Sequence, residues 1–356
     1  MNAGELHLVV PGPLDQRTGG YLYDARMAAG LAKLGWTVEV HSLDGAFPEG
    51  DERAEASLTA TLAAIPDRAR VLIDGLGMGA LPGPVHAHAG RLRLLGLVHH
   101  QLADETGLPE KERTRLGALE REALAACAGV IVTSTFTCER LIEYGVPRAL
   151  LRAVPPGTQP VRPAAGPGTG QPPLLLCVAT VIPRKGHDVL VRALERIQAM
   201  PWSCSCAGSL DSAPEYARAV LAQVRTAGLE GRIDFPGECG ELLLEELYHG
   251  TSLFVLPSHY EGYGMAYAEA LVRGLPVVGT TGGAVPHTVP ARASILVPPG
   301  DDAALAEALG HLLAGSAGAA RRARLAFAAR QHALELPGWD RAVDVFARAL
   351  LELAPD

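Results

Sequence analysis

The chain has 356 residues, of which 48% are hydrophobic and 20% charged, with a formal net charge of −8 at pH 7. This length allows two domains of ordinary size, and the acidic balance without a basic run argues against a nucleic-acid partner. We see no signal-peptide pattern and no apolar run long enough to predict a membrane span. Six dispersed cysteines in apolar surroundings indicate a reducing cytoplasm.

The first half of the chain opens like a Rossmann-like domain. A strand over residues 6–10 leads through Gly19-Gly20 into a helix that ends near Leu34, and a second strand follows over residues 37–41. Taken alone, the glycine pair is a weak motif that an ordinary turn explains equally well. Short apolar runs predict further strands at residues 71–74, 94–98 and 130–133.

Two adjacent histidines follow the strand predicted at residues 94–98. Ligands in open α/β sheets bind at the carboxyl ends of strands, so His99 and His100 are site candidates. We favour His99, because it is the first residue beyond the strand. Asp104 and Glu105 could meet an acceptor or begin the next helix, which its mixed charges predict to be a solvated outer helix.

A segment rich in proline and glycine separates the two halves. Residues 153–173 contain PPGTQP and RPAAGPGTGQPP without periodicity, a composition typical of linkers. We therefore predict a first domain over residues 1–165, a second domain over residues 166–335, and a C-terminal amphipathic helix within 336–356.

The second domain opens with an apolar strand over residues 174–180 and a loop that carries Arg184 and Lys185. Two adjacent cations at the carboxyl end of a strand suit a diphosphate, whose negative charge grows as a sugar departs. A solvated basic turn would have the same sequence.

Residues 253–283, LFVLPSHYEGYGMAYAEALVRGLPVVGTTGG, predict a strand, a glycine loop, a helix from about Met265 and another strand. The helix N-terminus offers unpaired N–H groups to an anion. Glu261 in the loop and Glu269 in the helix lie roughly 12 Å apart if the stretch between them is helical. Two acceptors flanking an anion site suit a nucleotide sugar, although isolated glutamates here could equally be turn and surface residues.

The string EGYGMAYAE followed by ALVRGLPVV resembles the signature of the family-4 retaining glycosyltransferases, and the match extends into TGG and ILVPPGDDAALAEAL. VATVIPRKGHDVL resembles the second phosphate loop of the same family. This resemblance implies an α/β GT-B fold, in which two Rossmann-like domains face a central cleft and the C-terminal helix crosses back to the first domain.

The resemblance also implies roles for single residues. Lys185 matches the family's phosphate-loop lysine, whereas Thr180 stands where the family often has arginine, so Arg184 is the candidate to replace it. His99 and Glu261 are implied at the sugar, and with Lys185 and Arg184 they form the expected catalytic set. The implied donor-binding residues, with Glu269 at the ribose and Gly237-Glu238 at the base, are Gly19, Gly20, Gly237, Glu238, Gly262, Tyr263, Gly264, Met265 and Glu269. The acceptor-side candidates are His100, Asp104 and Glu105.

We therefore expect a bacterial, cytoplasmic, retaining glycosyltransferase that moves a hexosyl or N-acetylhexosaminyl group from a nucleotide diphosphate sugar, with UDP favoured by its prevalence in the family. We find no Asp-x-Asp motif and expect neither a divalent metal nor another cofactor. Without a glycosidase-type carboxylate pair, we expect front-face displacement. The acceptor is a small molecule, a lipid or a glycan.

Alternative interpretations stay open at this point. The chain could be a sugar-nucleotide epimerase, a phosphorylase or a cyclitol-coupling pseudo-glycosyltransferase of the same fold, or a non-catalytic nucleotide-sugar-binding protein. The glutamate pair argues against an epimerase. A cluster of Arg321, Arg322 and Arg324 could touch a membrane surface peripherally, but a solvated helix face is the favoured interpretation.

Overall fold

The computed structural model describes residues 4–168 and 170–355, which group into two compact units. The first unit holds the residues up to Gly157 and those from Pro337 onward, and the second holds Thr158–Leu336. The division thus precedes the boundary that we placed at residue 165. The physical reason is that the Ala164 N–H donates to the Arg273 carbonyl at 2.9 Å, which ties this segment to the second unit.

The first unit is a six-stranded parallel sheet with flanking helices, in the order β2-β1-β3-β4-β5-β6. Its strands are β1 (Glu5–Pro11), β2 (Thr37–Leu43), β3 (Arg70–Asp74), β4 (Arg93–Val98), β5 (Gly129–Val132) and β6 (Leu151–Ala153). Its helices are α1 (Gly19–Lys33), α2 (Glu52–Ala64), α3 (Gly75–Met78), α4 (Pro82–Ala89), α5 (Glu110–Ala125), α6 (Thr135–Glu143) and, after the second unit, α14 (Trp339–Leu353).

The strand order of the first unit reverses beside β1, since the chain passes from β1 to β2 and then returns to β3 on the other side. In open α/β sheets, ligands bind outside the carboxyl ends of the strands at this switch point. Asp74 ends β3 and His99 follows β4, so both residues lie at this edge. The α/β architecture predicted for this half is confirmed.

The second unit is also a six-stranded parallel sheet, in the order β12-β11-β10-β7-β8-β9. Its strands are β7 (Leu174–Val178), β8 (Ser203–Ala207), β9 (Ile233–Gly237), β10 (Leu253–Val255), β11 (Val277–Thr280) and β12 (Ser294–Val297). Its helices are α7 (His187–Arg196), α8 (Pro214–Thr226), α9 (Glu241–Gly250), α10 (Met265–Val272), α11 (Val285–Thr288), α12 (Asp302–Leu313) and α13 (Gly315–Ala333). The switch point lies between β7 and β10.

The C-terminal helix α14 packs into the first unit, which confirms that it crosses back. Gly30 of α1 permits the close approach, because a Cβ there would lie 2.3 Å from Val343 Cγ2. Burial of a large apolar side chain such as Phe346 contributes roughly 1.5–3 kcal/mol. The buried residues of α14 are Ala342, Val343, Phe346, Ala347, Ala349, Leu350 and Leu353.

Helix α5 is less solvated than its sequence predicts. Leu116 and Leu124 are buried, and the buried Glu120 carboxylate accepts the Leu102 N–H at 3.2 Å. Asp104 does not begin this helix, since it closes a separate 3-10 turn. Across the described residues, we find no helix with both the length and the apolarity that a bilayer crossing requires.

Candidate functional site

In the second unit, the loops that follow β7 and β10 are held together at the switch point. The loop after β7 contains the 3-10 turn Pro183–Lys185 and then Gly186, whose φ is +68°. A Cβ at Gly186 would lie 2.3 Å from the Pro257 carbonyl oxygen, so only glycine fits this contact. The His259 N–H also donates to the Arg184 carbonyl at 2.7 Å.

These loops bring two cations onto one carboxylate. Lys185 Nζ lies 2.6 Å from Glu261 Oε1, and Arg184 Nη1 lies 3.8 Å from Glu261 Oε2. The Ser258 hydroxyl donates to Glu261 Oε1 at 2.6 Å. Burial alone would raise the pKa of Glu261, but Lys185 and Arg184 outweigh it and hold that pKa below its ordinary value. Glu261 is therefore an ionised, buried carboxylate at neutral pH.

Helix α10 begins beside this cluster. Its N-cap is Gly264, with φ +87°, and none of the described side chains caps the helix. The TGG turn packs against the Glu261 backbone, where the Ala284 N–H donates to the Glu261 carbonyl at 2.8 Å and a Cβ at Gly283 would come within 2.3 Å of that oxygen. The helix N-terminus and the two cations thus lie together where the sequence predicts an anion site.

Glu269 lies within α10 and is held by an aromatic residue of α9. The buried Tyr248 donates its hydroxyl to Glu269 Oε2 at 3.0 Å. The Arg273 guanidinium lies 4.0 Å from the Tyr248 ring centroid and pairs with Glu245. Glu269 is thus a partly buried, oriented carboxylate, and the alternative of a fully solvated helix residue is excluded.

Gly237 and Glu238 lie at the same edge of the second sheet, beyond β9. Gly237 has φ +75°, and its carbonyl accepts the Gly208 N–H at 2.9 Å. The loop after β8 is joined in turn to the loop after β7, because the Val181 N–H donates to the Ser209 carbonyl at 2.9 Å. The loops after β7, β8 and β9 are therefore contiguous.

In the first unit, His99 lies against two buried carboxylates. Its Nε2 is 3.1 Å from Asp24 Oδ1 and 3.4 Å from Asp74 Oδ2. Burial of the ring lowers its pKa, but the two carboxylates outweigh this and raise the pKa of His99 to about 10. Burial raises the pKa of Asp24 to about 7, whereas His99 and the Leu76 N–H keep the pKa of Asp74 low.

The glycine pair of α1 supplies the space that His99 occupies. Gly19 is the first residue of α1, and a Cβ at Gly20 would lie 3.2 Å from His99 Cδ2. The ring also packs edge-on against Tyr23, with centroids 5.5 Å apart. The histidine predicted from its place after β4 is therefore in contact with the glycine pair.

The acceptor-side candidates form a second polar group in the first unit. His100 Nε2 lies 3.3 Å from Glu105 Oε2, and Asp104 Oδ1 lies 3.3 Å from Arg140 Nη2. The acceptor-side candidates are thus held by polar contacts within the first unit.

Two groups of side chains within the described ranges have enough ligand atoms to hold a metal ion: Asp24, Asp74 and His99, and His7, Glu39 and His41. In the second group, His7 Nδ1 and His41 Nε2 lie 2.9 Å apart with ring centroids 5.2 Å apart. The two nitrogens thus lie nearly on the line joining the rings, which is the geometry of an imidazole hydrogen bond.

Several residues that build these clusters were not predicted. Asp24 lies four residues after Gly20, so the periodicity of α1 placed both on one helix face, and Asp74 ends a strand at the switch edge. The sequence therefore indicates these two residues only by the helix position of Asp24 and the strand-end position of Asp74. For Ser258 and Tyr248 the sequence carried no comparable signal, because their partners are fixed by loop and helix packing.

Comparison with known proteins agrees with this geometry. Residues 172–315 match the family profile described as "Glycosyl transferases group 1". The chain is 31% identical over 263 residues to a D-inositol 3-phosphate glycosyltransferase of Xylanimonas cellulosilytica, covering 68% of this chain and 61% of that relative. It is 27% identical to a GDP-mannose-dependent alpha-(1-6)-phosphatidylinositol monomannoside mannosyltransferase of Mycolicibacterium smegmatis, covering 73% and 70%. The alignment thus spans about three fifths of the inositol phosphate relative's length.

Among solved structures, the chain is similar to sucrose-phosphate synthase of Thermosynechococcus elongatus, with a TM-score of 0.80 and 21% identity over 98% of both chains. At this identity the likeness shows the fold alone, and it confirms the GT-B fold of two Rossmann-like domains. The family expected from the glutamate signature is confirmed as well. Residues 172–315 of this chain form a glycosyl transferases group 1 domain.

Proposed function

We propose that the chain is a retaining glycosyltransferase that moves a sugar from a nucleotide diphosphate sugar to a hydroxyl group of an acceptor. The observation that carries this proposal is the convergence of Arg184 and Lys185 on Glu261 at the switch point of a glycosyl transferases group 1 domain. The helix N-terminus at Met265 supports it, since both features favour a bound diphosphate.

The proposed donor site has a surplus of positive charge. Two cations share one carboxylate, so the cluster retains one formal positive charge, and the α10 dipole adds to it. The amides from Gly262 to Met265 would contact the phosphates. Arg184 would supply the cation that the resembled family often carries at the position of Thr180.

The two glutamates would orient the rest of the donor. Glu261 is fixed by Lys185 and Ser258 and would accept from a sugar hydroxyl, while Glu269, fixed by Tyr248, would accept from the ribose. The backbone at Gly237 and Glu238 would border the base. UDP is favoured by family prevalence, and GDP by the name of the mannosyltransferase relative.

The proposed reaction is a front-face displacement without a metal ion. The bond between the sugar's anomeric carbon and the phosphate oxygen breaks, and the acceptor oxygen bonds to the same face of that carbon. The departing phosphate takes the acceptor's proton, and Lys185, Arg184 and the α10 N-terminus stabilise its negative charge. Asp24 and Asp74 are buried against His99, so we assign neither of them as a nucleophile.

A donor screen tests the proposal. Isothermal calorimetry with UDP-, GDP-, ADP- and TDP-sugars, with and without magnesium, should show one saturable donor whose binding is indifferent to magnesium and weakened at least tenfold by Glu269→Ala. The matched control is Glu230→Ala, an exposed glutamate of the same unit. Absence of donor binding, or binding unaffected by both Glu269→Ala and Lys185→Ala, would refute the assignment.

Once the donor is known, a panel of acceptors can be screened with it. Both relatives are named for inositol-based acceptors, so inositol 3-phosphate and phosphatidylinositol monomannoside head the panel. The anomeric configuration of the product, read by NMR, then tests retention. A product of inverted configuration would contradict the front-face mechanism.

A further inference from the structure

We propose that His7, Glu39 and His41 bind one divalent transition-metal ion of the zinc class, which joins the edge strand β2 to β1. The site lies wholly within the first unit and does not depend on the proposed function. His7 lies four residues before the end of β1, roughly 13 Å along the strand from the carboxyl-end edge of the sheet. The ion is therefore away from the edge that carries His99, and its role is structural.

Strand pairing places the three side chains on one face of the sheet. His7 is paired with Glu39 in the parallel register, and His41 lies two residues further along β2, so side chains of all three point the same way. Leu6 and Leu8 point to the other face, where they line a small apolar space with residues of α1. The ligand groups are thus held by two hydrogen-bonded strands.

The ligand atoms are spaced nearly as a tetrahedral zinc ion requires. His7 Nδ1 lies 3.3 Å from Glu39 Oε2, and His41 Nε2 lies 3.8 Å from Glu39 Oε1. Ligand atoms about 2.0–2.2 Å from a tetrahedral ion lie about 3.3–3.6 Å from one another. The two ring nitrogens are closer, at 2.9 Å, because they share a hydrogen bond without the ion. The ion would replace that hydrogen bond and move the nitrogens apart by about 0.4 Å.

The surrounding structure allows this change. The side chains of His41 and Glu39 are 20% and 60% exposed on an edge strand, so the His41 ring has room to turn its Nε2 lone pair toward the ion. The buried His7 ring keeps its place. Its Nε2 has no hydrogen-bond partner among the described residues, and binding through Nδ1 puts the ring proton on Nε2, 4.0 Å from Glu5 Oε1. A carboxylate beside that proton is the usual outer partner of a metal-bound histidine.

The donor set selects the class of ion. Two imidazole nitrogens and one carboxylate oxygen suit zinc, cobalt, nickel or copper, whereas magnesium prefers oxygen ligands. Three protein ligands leave the fourth position to water, since Glu39 faces solvent. Within the described sheet, β2 has β1 as its single neighbour, so the ion adds a second kind of bond to the pairing of this outer strand.

A zinc titration of the EDTA-treated full chain, against a chromophoric chelator and in excess magnesium, tests the site. The native chain should bind one equivalent of zinc through these ligands, and His41→Ala and Glu39→Gln should each weaken that binding by about tenfold or more. His86→Ala, which removes an exposed histidine of the same unit, is the matched control. His99→Asn should also retain the equivalent, which separates this site from the group of Asp24, Asp74 and His99.

Two further readouts are independent of the chelator. Cobalt bound at four coordination gives visible absorption bands, and His41→Ala should lack them. Saturating zinc should raise the thermal unfolding midpoint of the native chain by about 2 °C or more but leave that of His41→Ala unchanged. If His41→Ala does not fold, Glu39→Gln on the exposed strand gives the same comparison. A native chain that binds no zinc, or a zinc equivalent that both variants retain or that His99→Asn removes, would overturn the proposal.

Discussion

The two units place clusters of opposite charge composition at the same edge of their sheets. In the first unit one imidazole faces two buried carboxylates, and in the second unit one buried carboxylate faces two cations. Each cluster follows from the same fold rule, since loops at a switch point converge. The rule fixes where the side chains meet, and the residue types decide what they can bind.

The two clusters differ in the surplus charge that they would present to a ligand. The cluster of Arg184, Lys185 and Glu261 has a positive surplus and favours a diphosphate. The cluster of Asp24, Asp74 and His99 has no positive surplus, so it repels phosphate and suits a neutral hydroxyl group. Under the proposed function, this difference would place the leaving diphosphate at the second unit and a neutral hydroxyl group at the first. Four substitutions test this difference between the units.

Lys185→Ala should have the largest effect. Removing this cation takes away the closest counter-charge of Glu261 and a stabiliser of the departing diphosphate, so we expect turnover to fall by about 10²–10³-fold. The measurement is donor-dependent nucleotide release. Lys111→Ala, an exposed lysine of α5, is the matched control and should change nothing. Equal activity of the two variants would contradict the proposed role of Lys185 at the departing diphosphate.

His99→Asn should flatten the dependence of stability on alkaline pH. The pKa of His99 is about 10 in the folded protein, above the ordinary value of about 6.5. Its stabilisation is therefore fully present below pH 6.5 and lost as pH rises through 10. The native protein should lose a few kcal/mol more than the variant between pH 7.5 and 10, as measured by urea unfolding. Parallel curves would contradict the raised pKa.

Tyr248→Phe should weaken nucleotide binding by about 3–10-fold, because Glu269 loses the hydroxyl that orients it. Calorimetric titration with the nucleotide measures this effect. Tyr216→Phe is a matched control, since Tyr216 also donates to a carboxylate, that of Asp188, outside the proposed site. If both variants weaken binding equally, the effect is one of general stability.

Gly20→Ala should have the smallest effect. A Cβ there would lie 3.2 Å from His99 Cδ2, so the ring must shift by a few tenths of an ångström. We expect kcat to fall about 3–10-fold with the nucleotide Kd unchanged. Gly90→Ala, where an added Cβ meets no atom within 4 Å, is the control. A change in nucleotide Kd would instead support the donor-binding role that the sequence resemblance implies for Gly20.

Local signals let the sequence predict much of the second unit. The helix predicted from Met265 begins at that residue, and Gly274, two residues beyond its end, has φ +73°. Strand, loop and helix here have distinct periodicities within thirty residues, so each boundary is marked by the chain itself. The amphipathic pattern within residues 336–356 likewise predicted α14.

The counter-charges of the first unit could not be predicted in this way. Asp24 interrupts an apolar helix face, and its partner His99 is 75 residues away, so no local pattern signals the pair. Leu34, near which the first helix was predicted to end, is 39% exposed because α1 ends at Lys33. Long-range pairing of buried charges depends on packing that periodicity does not encode.

The measurement that tests the central claim most directly is a titration of UDP and GDP into Glu261→Gln and the native protein. Glutamine keeps the shape of the Glu261 side chain but removes the negative charge that pairs with Lys185 and Arg184. We predict that the preferred nucleotide binds the variant at least threefold more tightly, while transfer of its sugar falls at least a hundredfold. Weaker nucleotide binding by the variant, or no binding of either nucleotide to the native protein, would contradict the assignment of this cluster to the diphosphate.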